Sequence, residues 1–208
     1  MSHDEEQFLQ SVSEHPFISS RERRNILGWD ESKYSRIVDT LILKEIIEKV
    51  SVPNGRGRPL LLYQPKGKNP SIKHEYYVHW IVDRLAKRGL VCTTNKVGPD
   101  IRIPKIRTAI NVELGSSDIL GNITSSLEEF DKIVVCSDDT RVLEAIRSHI
   151  KPEEAKRVFI HFIWDIPKLI ADLCNLILPD RFCDRKAVSE TRLNEKGMTD
   201  RWSGNQGE

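Results

Sequence analysis

The sequence lacks several features that would assign it to a common class of site. Its four cysteines are widely spaced, and none forms the C-x-x-C pair of many zinc sites. No Gly-x-x-x-x-Gly-Lys run is present, which argues against a P-loop ATPase. The formal net charge is only +1, so any basic surface for nucleic acid must be local. Cys92 and Cys136 lie in apolar, strand-like runs, where buried free thiols are expected.

Long apolar runs and a targeting segment are also lacking. The stretch from Ser2 to Gln7 is acidic and polar, unlike a signal peptide. The longest apolar helix that we predict, around Ile166 to Leu178, is interrupted by Lys168 and Asp172 and is too short to span a bilayer. We therefore expect a cytoplasmic protein in a reducing compartment, with no membrane partner.

Composition and periodicity predict two folded regions and a tail. The run Gly67-Lys68-Asn69-Pro70 has the composition of a linker, so we place a first domain at residues 1–66 and a linker at residues 67–71. Residues 72–182 alternate between helical and strand patterns and form the second predicted domain. Residues 183–208 are polar, without apolar periodicity, and are predicted to be a disordered tail. The expected fold class is α/β overall.

The first domain is predicted to contain three helices and a hairpin. Ser19 or Ser20 can cap the second helix, which Gly28 ends, and Asp30 can cap the third. One face of the third helix is apolar: Tyr34, Ile37, Val38, Leu41 and Ile42. Two predicted strands, Ile46 to Val52 and Leu60 to Tyr63, then flank a turn at Pro53-Asn54-Gly55.

The third helix and the hairpin carry residues suited to DNA. Lys33, Ser35 and Arg36 fall on the outward face of the helix, where they could reach bases or phosphates. The run Gly55-Arg56-Gly57-Arg58-Pro59, with its arginines at a hairpin tip, resembles the wing of the winged helix-turn-helix family. That resemblance implies that Arg56 and Arg58 bind double-stranded DNA. A region used only for protein contacts or dimerisation stays an alternative, because Glu31 and Asp39 on the same face would repel phosphate.

The second domain is predicted to be an α/β sandwich with a mixed central sheet. The predicted helices are Ile72 to Lys87, Asp118 to Phe130, Thr140 to His149 and Ile166 to Leu176. The predicted strands are Leu90 to Thr93, Asp100 to Ile103, Ala109 to Leu114, Lys132 to Cys136 and Val158 to Phe162.

Two acidic residues stand at the ends of neighbouring predicted strands. Asp100 begins one strand and Glu113 ends the next, so their carboxylates could hold a divalent metal ion. The preceding helix carries His74 and Glu75 in its first turn. We expect His74 to be a surface residue rather than a metal ligand.

Structural roles for these acids stay open as alternatives. Asp100 also suits a turn before a strand, and Glu75 suits the start of a helix because of the helix dipole. Glu113 would need a partner if it were buried, and Arg102 or Lys105 could form an ion pair with it.

The order of elements from Ile72 to Phe162 resembles the restriction-endonuclease-like fold of the PD-(D/E)xK superfamily. The matching residues are Pro99-Asp100 and Glu113-Leu114-Gly115. The resemblance implies a Mg²⁺ ion bound by Glu75, Asp100 and Glu113, with Asp100 and Glu113 as catalytic residues. Such a metal activates a water molecule and stabilises the leaving oxygen of a phosphodiester.

The lysine of that motif is replaced here by Gly115. Lys105 or Lys96 could supply it from a neighbouring segment, as happens in this superfamily. The run from Glu113 to Ile123 also resembles nuclease-like modules attached to DNA-translocating ATPases, although Ser116 occupies the lysine position there. This narrower resemblance implies a DNA-processing or mobile-element protein with a separate ATPase partner, and a homodimer.

Three functions remain open from the sequence. The first is a DNA-binding protein whose nuclease-like domain is catalytically impaired because the lysine is absent. The second is an active Mg²⁺-dependent DNA endonuclease. The third is a transcription regulator with an α/β domain for oligomerisation or sensing.

Overall fold

The computed structural model describes residues 1–53, 58–68, 71–95, 97–115 and 119–177. Within these ranges the protein is mixed α/β, as predicted, with a two-stranded and a five-stranded sheet. Residues 1–169 form one compact unit, and a second begins at Ile170. No helix in the described ranges is long and apolar enough to cross a membrane. The predicted tail, residues 183–208, lies outside the described ranges.

The N-terminal part contains three helices and an antiparallel strand pair. These are α1 (His3–Glu14), α2 (Ser20–Leu27), α3 (Glu31–Leu43), β1 (Ile47–Val52) and β2 (Leu60–Pro65). Ser2 and Ser19 form capping boxes at the starts of α1 and α2, and the Asp30 side chain accepts from the Lys33 backbone N–H. Gly28 ends α2 with a φ of 65°, a conformation that glycine adopts readily. The predicted boundaries therefore follow from these capping residues.

Three aromatic rings hold α1, α3 and β2 together. Phe8 lies edge-on to Tyr34 at 5.7 Å and to Tyr63 at 5.4 Å between ring centroids. The fully buried Arg23 of α2 lies against the ring of Phe8. Its guanidinium donates to the backbone oxygens of Ser11 and His15. This buried arginine joins α2 to the C-terminal half of α1.

The larger sheet has the strand order β3-β4-β5-β6-β7. Its strands are β3 (Thr93–Thr94), β4 (Ile101–Ile103), β5 (Thr108–Val112), β6 (Lys132–Ser137) and β7 (Val158–Phe162). The β3–β4 and β4–β5 pairs are antiparallel, whereas β5–β6 and β6–β7 are parallel. The accompanying helices are α4 (Ile72–Ala86), α5 (Ile119–Glu129), α6 (Thr140–Arg147) and α7 (Ile166–Ile177). The mixed sheet agrees with the sequence-based expectation.

The first strand of this sheet differs from the prediction of Leu90 to Thr93. The structure has only Thr93–Thr94 as a strand. Leu90, which follows α4, is hydrogen-bonded to the last turn of that helix instead. Its N–H donates to the Leu85 oxygen, after Gly89 adopts a φ of 75°. Cys92 is half-buried rather than buried, whereas Cys136 in β6 is buried as expected. An apolar residue that closes a helix thus resembles the start of a strand in the sequence.

Strand β5 occupies the middle of the larger sheet and is buried along its whole length. Ala109 belongs to an apolar cluster that also contains Ile133 and Val135 of β6, Ile123 of α5 and Ile146 of α6. Burying this apolar surface is the main favourable contribution to folding. The ends of β5 are therefore held in a fixed frame, and polar residues follow its C-terminal end.

Candidate functional site

The β4–β5 hairpin brings Asp100 and Glu113 to the same end of the sheet. Ile101 at the start of β4 lies opposite Ile110 near the end of β5. The Asp100 Oδ2 atom accepts a hydrogen bond of 2.8 Å from the backbone N–H of Val112. Asp100 thus lies beside the residue that precedes Glu113, as the prediction of an acid pair requires.

Glu113 follows β5 and lies alongside the end of β6. Its backbone N–H donates to the Cys136 oxygen at 2.8 Å, and the residue is only 5% exposed. Burial, together with the negative charges of Asp100 and Glu113, raises the pKa of the Cys136 thiol. The two predicted acids therefore act on the same small region at the carboxyl end of β5 and β6.

His74 of α4 belongs to this site, contrary to the expectation of a surface residue. Its Nε2 atom lies 3.2 Å from Asp100 Oδ1, and each side chain is 23% exposed. The pKa of His74 is raised, first by the hydrogen bond with Asp100 and then by the negative charges of Asp100, Glu113 and Glu75, although burial opposes the shift. A position beside Glu75 in the first turn of α4 was the only sequence signal for this role.

Glu75, the third predicted metal ligand, forms an ion pair of 2.6 Å with Lys68. Asp100 is likewise engaged, by His74 and by a backbone N–H. Carboxylate oxygens suit Mg²⁺, but among the described residues no group of three or more His, Cys, Asp or Glu side chains is arranged to hold a metal ion. Glu75 and Asp100 thus already have partners, and a cation bound by these carboxylates would have to displace Lys68 and His74.

Lys105, the predicted catalytic lysine, lies at the other end of the hairpin. It is exposed in the 3₁₀ helix Pro104–Ile106, which connects β4 to β5. Five residues of extended chain correspond to roughly 16 Å, so the structure does not bring its backbone near Asp100. Lys96 and Ser116, the other positions considered for the lysine, lie outside the described residues.

Arg102 does not fill the lysine position either. Its guanidinium forms an ion pair of 3.0 Å with Glu129 and lies 5.5 Å from the ring centroid of Phe130. The cation proposed from sequence as a partner for Glu113 is thus engaged by α5 and its following residue. Gly115, two residues after Glu113, has no side chain to contribute.

Asn111 is a buried polar residue that the sequence did not single out. It lies in β5, two residues before Glu113, and is 3% exposed. Neither atom of its side-chain amide has a hydrogen-bond partner among the described residues. Its backbone oxygen accepts a hydrogen bond from the Cys136 thiol. Burying an unpaired amide costs free energy, so its presence beside the acid pair is unfavourable for stability.

The residues predicted to contact DNA differ in their exposure and in their ion pairing. Ser35 and Arg36 of α3 are exposed, as expected for an outward face. Lys33 instead forms an ion pair of 2.8 Å with Asp4 of α1, and its ammonium lies 4.7 Å from the ring centroid of Trp29. Arg58 is exposed just before β2, whereas Arg56 lies outside the described residues.

Comparisons with protein-family models, with curated proteins and with solved structures find no match for this chain. The geometry of the described residues is therefore the basis for a functional proposal. Two arrangements are available for this purpose. One is the exposed face of α3, and the other is the polar group formed by His74, Asp100 and Glu113 at the end of β5.

Proposed function

We propose that the protein binds double-stranded DNA through a winged helix-turn-helix region at its N-terminus. The observation that carries this proposal is the division of α3 into two faces. Tyr34, Ile37 and Val38 are buried, while Ser35 and Arg36 are exposed. A helix whose polar face stays accessible can enter the major groove of B-DNA, where an arginine can bind guanine through two hydrogen bonds.

The order of elements supports the same proposal. Three helices precede an antiparallel strand pair, and the sequence between its strands contains Arg56 and Arg58. Arginines between two such strands can contact the phosphate backbone beside the groove. The overall net charge of +1 shows that this binding would depend on local charge rather than on the whole molecule.

We further propose that the nuclease-like α/β region contacts DNA without cutting it. Asp100 is held by His74, Glu75 is held by Lys68, and Gly115 stands where the catalytic lysine would be. A hydrolytic site of this kind needs carboxylates that are free to bind a cation and a group that positions the attacking water. The observed contacts favour binding over catalysis.

The DNA-binding proposal is tested by measuring affinity for duplex DNA at several salt concentrations. Each lost phosphate contact lowers the slope of log K against log salt by about one. We expect Arg36→Ala, and the pair Arg56→Ala with Arg58→Ala, to weaken binding. Arg88→Ala is the matched control, because it removes an exposed arginine that follows the C-terminal end of α4. Equal affinities for all these variants would contradict the proposal.

The proposed lack of cleavage is tested with plasmid and branched DNA in Mg²⁺ or Mn²⁺. We expect the intact duplex to be retained and not cut. Metal-dependent cutting that Glu113→Ala abolishes would instead establish an endonuclease, the alternative that the shared position of Asp100 and Glu113 favours. Release from one defined operator by a small molecule would indicate a transcription regulator.

A homodimer and a DNA-translocating ATPase partner are proposals that derive only from the nuclease-like resemblance. The mass of the chain is 23.9 kDa, so light scattering of the purified protein distinguishes a monomer from a dimer. Addition of duplex DNA to the same measurement would show whether two copies assemble on one site.

A further inference from the structure

A second polar cluster lies at the carboxyl end of β6. Asp138 directly follows this strand, and its side chain is 8% exposed. Its Oδ2 atom accepts a hydrogen bond of 2.7 Å from the Tyr77 hydroxyl and forms an ion pair of 2.7 Å with the Lys73 ammonium. Tyr77 is fully buried, and burial together with the Asp138 carboxylate raises its pKa, so it stays a hydrogen-bond donor at neutral pH.

This cluster is at the same edge of the sheet as the acid pair. Because β5 and β6 are parallel, their carboxyl ends meet at one edge, with neighbouring strands roughly 4.8 Å apart. The Glu113 N–H donates a hydrogen bond to the oxygen of Cys136, which precedes Asp138 by two residues in the chain. Glu113 therefore lies beside the end of β6. The first turn of α4 reaches both strand ends, with His74 bonded to Asp100 and Lys73 bonded to Asp138.

Lys73 retains the capacity to bind another acceptor. An ammonium group has three N–H donors. Lys73 forms an ion pair of 2.7 Å with Asp138, and its side chain is 28% exposed. The Tyr77 ring, whose centroid lies 5.8 Å from the ammonium, limits the directions that the chain can take. Lys73 is therefore oriented by its surroundings and still accessible from solvent.

We propose that Lys73 is a phosphate-contacting residue of the α/β region, positioned by Asp138 and Tyr77, and that its ligand is the phosphodiester backbone of duplex DNA. This inference rests on the proposed DNA-binding function. It places a solvent-accessible lysine at the sheet edge that also carries Asp100 and Glu113. It also gives the edge of the sheet a DNA-binding role that does not require cleavage.

The test compares variants of the full chain in the salt-dependence measurement. Lys73→Gln alone would leave the buried Asp138 carboxylate without its cation, which destabilises a fold. The decisive variant therefore combines Lys73→Gln with Asp138→Asn, because two amide side chains can still form a hydrogen bond. Asp138→Asn alone keeps the charge of Lys73. Lys87→Gln is the matched control on the same helix, since Lys87 also has an acidic partner, Asp83.

We expect the double variant to lower the salt slope by about one and to weaken binding on the order of five-fold near physiological salt. Lys87→Gln should keep the wild-type slope, Asp138→Asn should keep or raise it because the charge of Lys73 stays and its acidic partner is gone, and thermal unfolding should show that all the variants are folded. A double variant with the wild-type slope overturns the role of Lys73. An equal loss of slope in Asp138→Asn also overturns it, because the charge of Lys73 would then not be the cause.

The failure of this inference is distinguishable from failure of the proposed function. A wild-type chain that does not bind duplex DNA overturns both. A wild-type chain whose binding depends on Arg36 and not on Lys73 overturns only the inference about Lys73, and leaves the N-terminal region as the DNA-binding part.

Discussion

The Asp4 carboxylate of α1 lies 2.8 Å from the Lys33 ammonium of α3, so an acid from one helix neutralises a lysine of the predicted DNA-reading helix. Both side chains are about one-third exposed, at 32% and 33%. An ion pair with this exposure adds little to stability. Its larger effect is on charge, because Lys33 must leave Asp4 before it can contact a phosphate.

We expect Asp4→Asn to tighten binding to duplex DNA and to increase the salt slope by up to about one, because Lys33 becomes available to a phosphate. The matched control is Glu6→Gln, which removes an exposed acid from the same turn of α1. Affinity measurements at several salt concentrations check this prediction. If the two variants behave alike, the contact between Asp4 and Lys33 has no specific effect.

Arg23 is expected to be essential for the stability of the N-terminal part. It is fully buried, and its guanidinium donates to two backbone oxygens of the α1 segment. Hydrogen bonds to charged groups contribute about 1.5–3 kcal/mol each, so Arg23→Ala should lower the free energy of unfolding by about 3 kcal/mol. Lysine cannot reproduce the planar fork of donors, so Arg23→Lys should also destabilise the protein.

Denaturant unfolding measures this effect, with Arg21→Ala as the control on the same helix. Arg21 is exposed, and such substitutions usually change stability by less than about 0.5 kcal/mol. A loss of stability that is equal for Arg21 and Arg23 would show that the buried contacts are not responsible.

His74 is expected to make stability depend on pH. Its pKa in the folded protein is raised above the ordinary value of 6.5 by Asp100. A raised pKa stabilises the folded state below the unfolded pKa, and this contribution is lost as pH rises through the folded pKa. His74→Gln should therefore destabilise the protein more at pH 5.5 than at pH 8.5. His149→Gln, at an exposed position, is the control, and NMR titration of the His74 ring measures its pKa directly.

Asn111 and Thr108 provide a contrast within β5. The Asn111 amide has no partner among the described residues, whereas the Thr108 hydroxyl donates to the Ile106 oxygen at 3.0 Å. We expect Asn111→Val to stabilise the protein by about 1 kcal/mol, and Thr108→Val to destabilise it by a similar amount. Thermal unfolding compares the two. A destabilising Asn111→Val would mean that the amide forms a contact outside the described residues.

Much of the fold could be predicted because its signals are local. The capping residues Ser19 and Asp30 and the left-handed Gly28 mark helix ends directly. The alternation of helices and strands after Ile72 predicted the mixed sheet, because β5, β6 and β7 are apolar runs of five or six residues between helical segments. The end of α4 was less predictable, because Leu90 packs after Gly89 as part of the helix end and not as part of a strand.

The candidate site was only partly predictable, because its contacts join residues far apart in the chain. The ends of neighbouring strands predicted that Asp100 and Glu113 would be close. No sequence pattern indicates that His74 meets Asp100, that Lys33 meets Asp4, or that Lys73 and Tyr77 share Asp138. Such contacts depend on how a helix packs on the sheet, and a partial rotation of the helix about its axis would change the partners.

The dual position of α1 restricts how DNA affinity can change during evolution. This helix both shields Lys33 and supplies the oxygens that hold Arg23. Removal of α1 would free Lys33 and would also remove the backbone oxygens that hold Arg23, so the part that presents the lysine would unfold. Tighter binding is therefore accessible through single substitutions at Asp4, and not through loss of the segment.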